Sequence, residues 1–325
     1  MRWGIIGCGA IAREFAEDLA TVPSAELAAV ASRTVAKAQA FAKEFGFARA
    51  HGSYEALYAD RDVDIVYVAT PHTEHLRNSA DAMRAGKHVL CEKPLTVSPD
   101  EARMLAAIHA ETGVYLMEAM WTWFLPAVRQ ALTWIEQKRI GALVHIKSDF
   151  GYPQPYDPSG RMYSPILGGG ALLDMGVYPV ALSWLLHRSH PDKTAVLARA
   201  APNGVVDDLS IMLDYKSHTA TLGASFRAKL QNWAYIIGTT GYIAIPDYWR
   251  AAEAHLYVLD DCVERFVDDR ETRGFNFEIE TVMQDIAAGR TQSLVYSLDD
   301  SIAVQEIMAR IHLLSVTSAV AREAR

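Results

Sequence analysis

Three groups of residues have the types and spacing to do chemistry together. In "GIIGCGAIA", Gly7, Gly9 and Ala12 stand in a G-x-G-x-x-A spacing. Gly7 permits a tight turn, Gly9 lets backbone approach a pyrophosphate, and Ala12 allows close helix–strand packing; Cys8, Ala10 and Ile11 fill out the loop and helix start facing the negative charge. A second group lies at the end of the next apolar run. There an NAD site usually carries Asp or Glu for the ribose 2′-hydroxyl, but this chain has Ser32 and Arg33, with Lys37 one helical turn on. Ser32 can donate to a 2′-phosphate, and Arg33 can pair with it and stack on adenine, so NADP is favoured over NAD. The plainer alternative is that Arg33 and Lys37 only solvate a helix start. The third group is "CEKP", where Glu92, Lys93 and Pro94 follow a short apolar strand. An amine at the carboxyl end of a parallel strand points to where this fold places its chemistry, and proline fixes the backbone beside it.

Positioning such groups requires a parallel sheet, and the first 118 residues have its pattern of short apolar runs alternating with longer helical ones. Strands are expected at 2–7, 26–31, 64–69, 88–92 and 114–117. Gly46 and Gly86 read as left-handed helix stops, and Ser98-Pro99-Asp100-Glu101 as an N-cap, a first-turn proline and a capping-box glutamate. The loop "ATPHTEHL" after strand 64–69 should border the nicotinamide end of the cleft, which nominates Thr70, Pro71, His72 and His75. His75 is either a solvated helix-start residue or a cleft residue touching cofactor or substrate.

The pattern changes after about residue 120. A helix at about 125–139 leads to a strand at 143–150, a loop rich in proline and glycine at 151–170, and an apolar helix at 171–187. Alternating segments from 194 to 267 predict a mostly antiparallel sheet, and helices near 276–288 and 298–320 close the chain. The division is therefore a dinucleotide-binding parallel-sheet domain over 1–119 and a second α/β domain over 120–325. On the helix 171–187, Asp174 and Tyr178 are four apart and share a face. Asp174 reads equally as a salt-bridge partner or as a group orienting Lys93 and substrate hydroxyls. Trp121, Trp123 and Phe124, with Phe150 and Arg161, are candidates to face the ring of a substrate, and Tyr156 and Asp157 lie in a loop that could cover it. Core packing is the competing reading for each aromatic.

Composition narrows the partners. Half of the 325 residues are hydrophobic, 22% are charged and the net charge is −8, which suits a large-cored globular protein and argues against a nucleic-acid partner. Cys8, Cys91 and Cys262 are too scattered for a disulfide framework or a metal knuckle, so no metal is expected and a reducing cytoplasm fits. The start of the chain lacks the layout of a signal peptide. The apolar run from Ala171 to Leu186 contains Asp174, Gly176 and Pro179, reads as too short and interrupted to span a bilayer, and no membrane partner is expected.

Taken together, "GIIGCGAIA", "TPHTEH", "AGKHVLCEKPL" and "GGGALLDMGVYP" resemble the Gfo/Idh/MocA family of oxidoreductases over essentially the whole chain. Within it, "EAMWTWFLP" with Ser32-Arg33 looks most like the dimeric dihydrodiol dehydrogenase and NADP-dependent D-xylose dehydrogenase subgroup. The resemblance implies a Rossmann domain, a second α/β domain whose open sheet commonly forms the subunit interface, and hence a homo-oligomer. It also implies that Lys93 is catalytic; Glu92 beside it reads as steadying the lysine turn or the cofactor end rather than as a metal ligand. Where the inositol dehydrogenase branch has D-x-G-x-H, this chain reads Asp174-Met175-Gly176-Val177-Tyr178, which matches the tyrosine branch and puts Tyr178 in the acid/base role. A free tyrosine titrates near ~10, and a neighbouring ammonium favours phenolate, so Lys93 would assist it. The expectation is hydride transfer between NADP(H) and a CH–OH group of a sugar, cyclic polyol or trans-dihydrodiol. Its rivals are a nucleotide-sensing regulator of the same fold, which needs no proton-transfer pair, and a sugar–sugar oxidoreductase with tightly held cofactor.

Overall fold

The early apolar runs pair as parallel strands in the computed structural model, which describes residues 1–323. Residues 324 and 325 lie outside the described ones. Strands β1 (Arg2–Ile6), β2 (Glu26–Ala31), β3 (Arg49–His51), β4 (Ile65–Val68), β5 (His88–Glu92) and β6 (Leu116–Ala119) form one sheet in the order β3-β2-β1-β4-β5-β6. The order reverses between β1 and β4, and such sheets open a crevice at that point on their carboxyl edge. Helices α1 (Ala10–Leu19), α2 (Val35–Phe45), α3 (Tyr54–Tyr58), α4 (His75–Arg84) and α5 (Pro99–Thr112) make the connections. β4 and β6 are buried along their whole length, as parallel strands covered on both faces must be. The punctuation is as expected: Gly46 adopts φ 82° after α2, and the Ser98 side chain accepts from the Glu101 N–H at 3.3 Å. β3 has no counterpart among the expected strands, because three half-buried residues carry no periodicity.

The later segments form α6 (Pro126–Glu136), β7 (Leu143–Gly151), α7 (Val177–His187), β8 (Lys193–Ala200), β9 (Val206–Asp214), β10 (Thr219–Ser225), β11 (Ala234–Gly238), β12 (Tyr242–Ile245), β13 (Glu253–Val258) and β14 (Asp261–Val267). Eight strands make one sheet in the order β14-β13-β12-β11-β7-β10-β9-β8, antiparallel except for the β7–β10 pair. Along β9, Leu209, Ile211 and Leu213 are buried while Ser210 and Met212 are exposed. That alternation gives a sheet with one face on a core and the other open. α7 lies against β7 and β10, and α6 against β12 and β13.

The two compact units differ from the expected division. The first comprises Met1–Trp121 with Arg270–Ile302; the second comprises Thr122–Asp269 and the chain from Ala303 on. The returning segment belongs to the nucleotide unit because α8 (Phe275–Ala287) packs on α1. Buried Asp18 accepts the N–H groups of Arg273, Gly274 and Phe275, and the Leu116 N–H donates to Thr291 O. α9 (Leu298–Glu323) begins in the first unit and continues in the second. Contrary to the reading of the apolar run, the stretch Pro165–His187 is long and apolar enough to cross a membrane by length and composition. Of its most apolar window, 61% is buried inside the structure, as in a core helix.

Candidate active site

The loop between β1 and α1 depends on its glycines. Gly7 adopts φ 91°, and a Cβ there would lie 2.4 Å from Ala69 O, so no side chain fits between the β1 and β4 loops. Its N–H donates to Ala31 O at 3.1 Å, tying the turn to the end of β2. At Gly9 a Cβ would meet nothing within 4 Å, which leaves the space over the loop open to a ligand. Gly9 N-caps α1 without a side-chain cap, so the N–H groups of Ala10 and Ile11 are presented as an anion site. These features fit the pyrophosphate of a nicotinamide dinucleotide. At the end of β2, Ser32 is buried, its hydroxyl reaches the Cys8 thiol, and Arg33 and Lys37 are exposed. Burial pushes the Cys8 thiol up from its ordinary range.

The turn that carries Lys93 is clamped by buried polar groups. The Lys93–Pro94 peptide is cis. Lys93 N–H donates to Glu92 Oε2 at 3.1 Å, and Tyr67 OH donates to Glu92 Oε1. Leu95 N–H donates to Glu118 Oε1 at 2.9 Å, and Pro94 O lies 2.9 Å from His75 Nδ1. Backbone polar groups taken from water at a strand end need such partners, which explains why Glu92, Glu118 and His75 are buried here. Burial raises the carboxyl of Glu92, with Lys93 opposing it, and raises that of Glu118 to about 7. Glu278 on α8 is fully buried at the same end, and burial, then Glu92 and Asp18, push its carboxyl up.

His75 meets neither of its sequence readings. Its ring is 0% exposed, with Nε2 2.9 Å from Thr70 O and Nδ1 on Pro94 O. It therefore joins the β4 loop to the lysine turn instead of facing solvent or a ligand, and burial pushes its pKa down. Asn78 donates to Thr70 Oγ1 at 3.0 Å and steadies the same loop. His72 is buried edge-on to His75 at 5.7 Å, and Pro71 is exposed.

In the second unit, Tyr178 sits among aromatic rings. Phe150, at the end of β7, meets it edge-on at 5.3 Å and stacks on Trp249 at 4.9 Å; Trp249 meets Tyr178 at 6.2 Å. The residues before Tyr178 are not the regular α-helix that the spacing predicts. Leu172–Gly176 form a π-helical turn, a form frequent at functional sites. A Cβ on Gly176 would lie 3.0 Å from Leu172 Cδ1 within the turn, so glycine leaves room for that side chain. Asp174 lies in this turn and accepts from Arg161 Nη2 at 3.0 Å, so two substrate candidates form an ion pair.

Other aromatics are packing residues. Trp121, in the first unit, stacks on Phe275 at 4.4 Å, and Trp123 is 1% exposed. Tyr156 and Asp157 are exposed, with the Tyr156 ring edge-on to Tyr163 at 5.0 Å. Sequence reasoning passed over Glu118, Tyr67 and Trp249. A carboxylate within the buried strand "LMEA" was a usable signal for Glu118, because such residues are rarely buried without a partner. Trp249, in a short 3₁₀ turn, had none.

A doubly wound sheet with an open glycine loop and a clamped lysine at its carboxyl edge, followed by an open-sheet α/β domain, defines a dinucleotide-binding oxidoreductase. Residues 1–120 match the Gfo/Idh/MocA oxidoreductase family, NAD-binding Rossmann fold, and residues 128–244 match the Gfo/Idh/MocA C-terminal domain. The chain belongs to the Gfo/Idh/MocA family. It is 34% identical to trans-1,2-dihydrobenzene-1,2-diol dehydrogenase of Xenopus laevis over 94% of this chain and 96% of that one. The corresponding Mus musculus enzyme is 36% identical over 78% and 77% of the two chains. A 3-ketoreductase from Actinomadura kijaniata, solved with NADP and TDP-benzene, superposes with a TM-score of 0.85 at 30% identity over 96% of this chain and 97% of that one. An aldose-aldose oxidoreductase from Caulobacter crescentus shares the fold at a TM-score of 0.89 and 22% identity, covering 100% and 98%.

Proposed function

We propose that this protein is an NADP-dependent dehydrogenase or reductase acting on a CH–OH group of a trans-dihydrodiol, cyclic polyol or sugar. The observation that carries the reading is the lysine turn, whose backbone is held by Glu92, Glu118 and His75 so that the Lys93 amine starts from a fixed point. The bound nicotinamide supplies hydride chemistry. Tyr178 takes or returns the hydroxyl proton at its Oη, and Lys93 assists by favouring phenolate. Asp174, with Arg161 on it, orients substrate hydroxyls, while Phe150 contributes an apolar wall.

NADP over NAD is supported by Ser32 and Arg33 in place of a carboxylate, and by the NADP held in the Actinomadura neighbour. The diol is supported by the Xenopus laevis dihydrodiol dehydrogenase, which matches over nearly the full chain. Self-association through the open face of the eight-stranded sheet fits Leu197 and Met212, each 60% exposed there. A cytoplasmic setting fits Cys8, Cys91 and Cys262, which are free thiols.

The test is Lys93→Met, assayed by NADPH absorbance against a panel of diols, cyclitols and aldoses, with NADPH binding followed by fluorescence. Binding should survive and turnover should fall ~10²–10⁴-fold. Near-native turnover overturns the assignment.

A further inference from the structure

Between α1 and α2 of the first unit lies a cavity of about 260 Å³, lined by Cys8, Arg13, Lys37, Ala40, Phe41 and Glu44. Two cations and one carboxylate around a small space suit an anionic group better than a ring. Lys37 comes from the first turn of α2, and Arg13 from the first turn of α1. The Arg13 guanidinium is ion-paired with Glu44 and lies 5.1 Å from the Phe45 ring and 6.0 Å from Phe41. Cys8 joins this cavity to the cofactor loop: its Sγ is 4.0 Å from Ala31 O and reaches the side chain of Ser32. Lys37 and Arg13 both favour the thiolate of Cys8, so both cations act on the loop beside the ribose end.

We propose that Arg13 is a cofactor-selecting residue that exchanges Glu44 for the 2′-phosphate of NADP, binding it together with Lys37. This rests on the NADP reading above. The exchange is favourable because the Arg13–Glu44 pair is solvent-exposed, at 44% and 48%, and such pairs contribute little. A guanidinium facing a phosphate dianion forms charge-assisted, bidentate bonds. Phe41 and Phe45 limit where the guanidinium can lie, keeping it between the two helices. Glu44 is then the counterweight, holding Arg13 when the dianion is absent and opposing the dianion when it arrives.

Calorimetric titration of the full chain with 2′,5′-ADP and with 5′-AMP tests this without any turnover. Tighter binding of 2′,5′-ADP by the wild type supports the NADP reading; equal binding overturns that reading and the proposal with it. Arg13→Gln should weaken 2′,5′-ADP about tenfold and change 5′-AMP less than about twofold. Glu44→Gln should act in the opposite sense, tightening 2′,5′-ADP a few-fold. If the wild type keeps its preference and Arg13→Gln leaves the ratio unchanged, the role of Arg13 is overturned while the NADP reading stands. Should Arg13→Gln fail to fold, Glu44→Gln decides alone, and no tightening overturns the proposal.

Discussion

Around Lys93 the positioning groups are buried and polar, and they grip backbone; around Tyr178 they are aromatic, and they grip a ring. Glu92, Glu118 and His75 hold three consecutive backbone units of the lysine turn. Phe150 and Trp249 hold the tyrosine by its faces and edges. A long flexible amine can be aimed only from its origin, whereas a phenol ring offers faces and edges that neighbouring rings can hold. The two regions therefore fail in different ways when altered.

Tyr178→Phe should sharpen the contrast most. Turnover should drop ~10²–10⁴-fold, while the melting temperature stays close to that of the wild type, because the ring contacts with Phe150 and Trp249 survive. A large loss of stability would show that the hydroxyl is structural. Phe150→Ala is next: removing a ring that is 6% exposed should cost about 3–4 kcal/mol in urea unfolding and lower turnover as Tyr178 loosens.

The smallest effect concerns the polar side and depends on pH. Burial raises Glu118 from 4.5 to about 7, so the unfolded chain gives up its proton before the folded one. Fewer protons bound in the unfolded state mean that stability falls as pH rises from about 4.5 to about 7, by up to roughly 3 kcal/mol. Glu118→Gln keeps an acceptor for Leu95 N–H and should flatten that part of the stability–pH curve. Thermal melts at pH 5 and pH 8 measure it; an unchanged slope would show that Glu118 ionises in the folded protein as it does in water.

The same contrast explains what was legible in the sequence. Features set by local backbone demands could be read directly: the glycine loop, the Ser98 cap, the strand into Glu92 and most of the succession of strands and helices along the chain. Features set by partners distant along the chain could not. Glu118 finds Leu95 only because β5 and β6 are adjacent, and Phe150 meets Trp249 only once β7 and the turn at Tyr248–Arg250 are folded into one unit. His75 was recognised but misassigned, since a helix-start histidine looks the same in sequence whether its ring faces water or two carbonyls. The π-helical turn was hidden because its composition matches that of an ordinary apolar helix.

The return of residues 270–302 to the nucleotide unit bears on how the protein is made. Chains grow from the N-terminus, and domains generally fold as units during synthesis. Here the unit encoded first is completed late. When residue 121 emerges, Asp18 still lacks the N–H donors of residues 273–275, and the Leu116 N–H still lacks Thr291 O. The ribosome must deliver the whole Thr122–Asp269 segment before those bonds can form, so the first unit waits, unfinished, for a stretch of chain that belongs to the second.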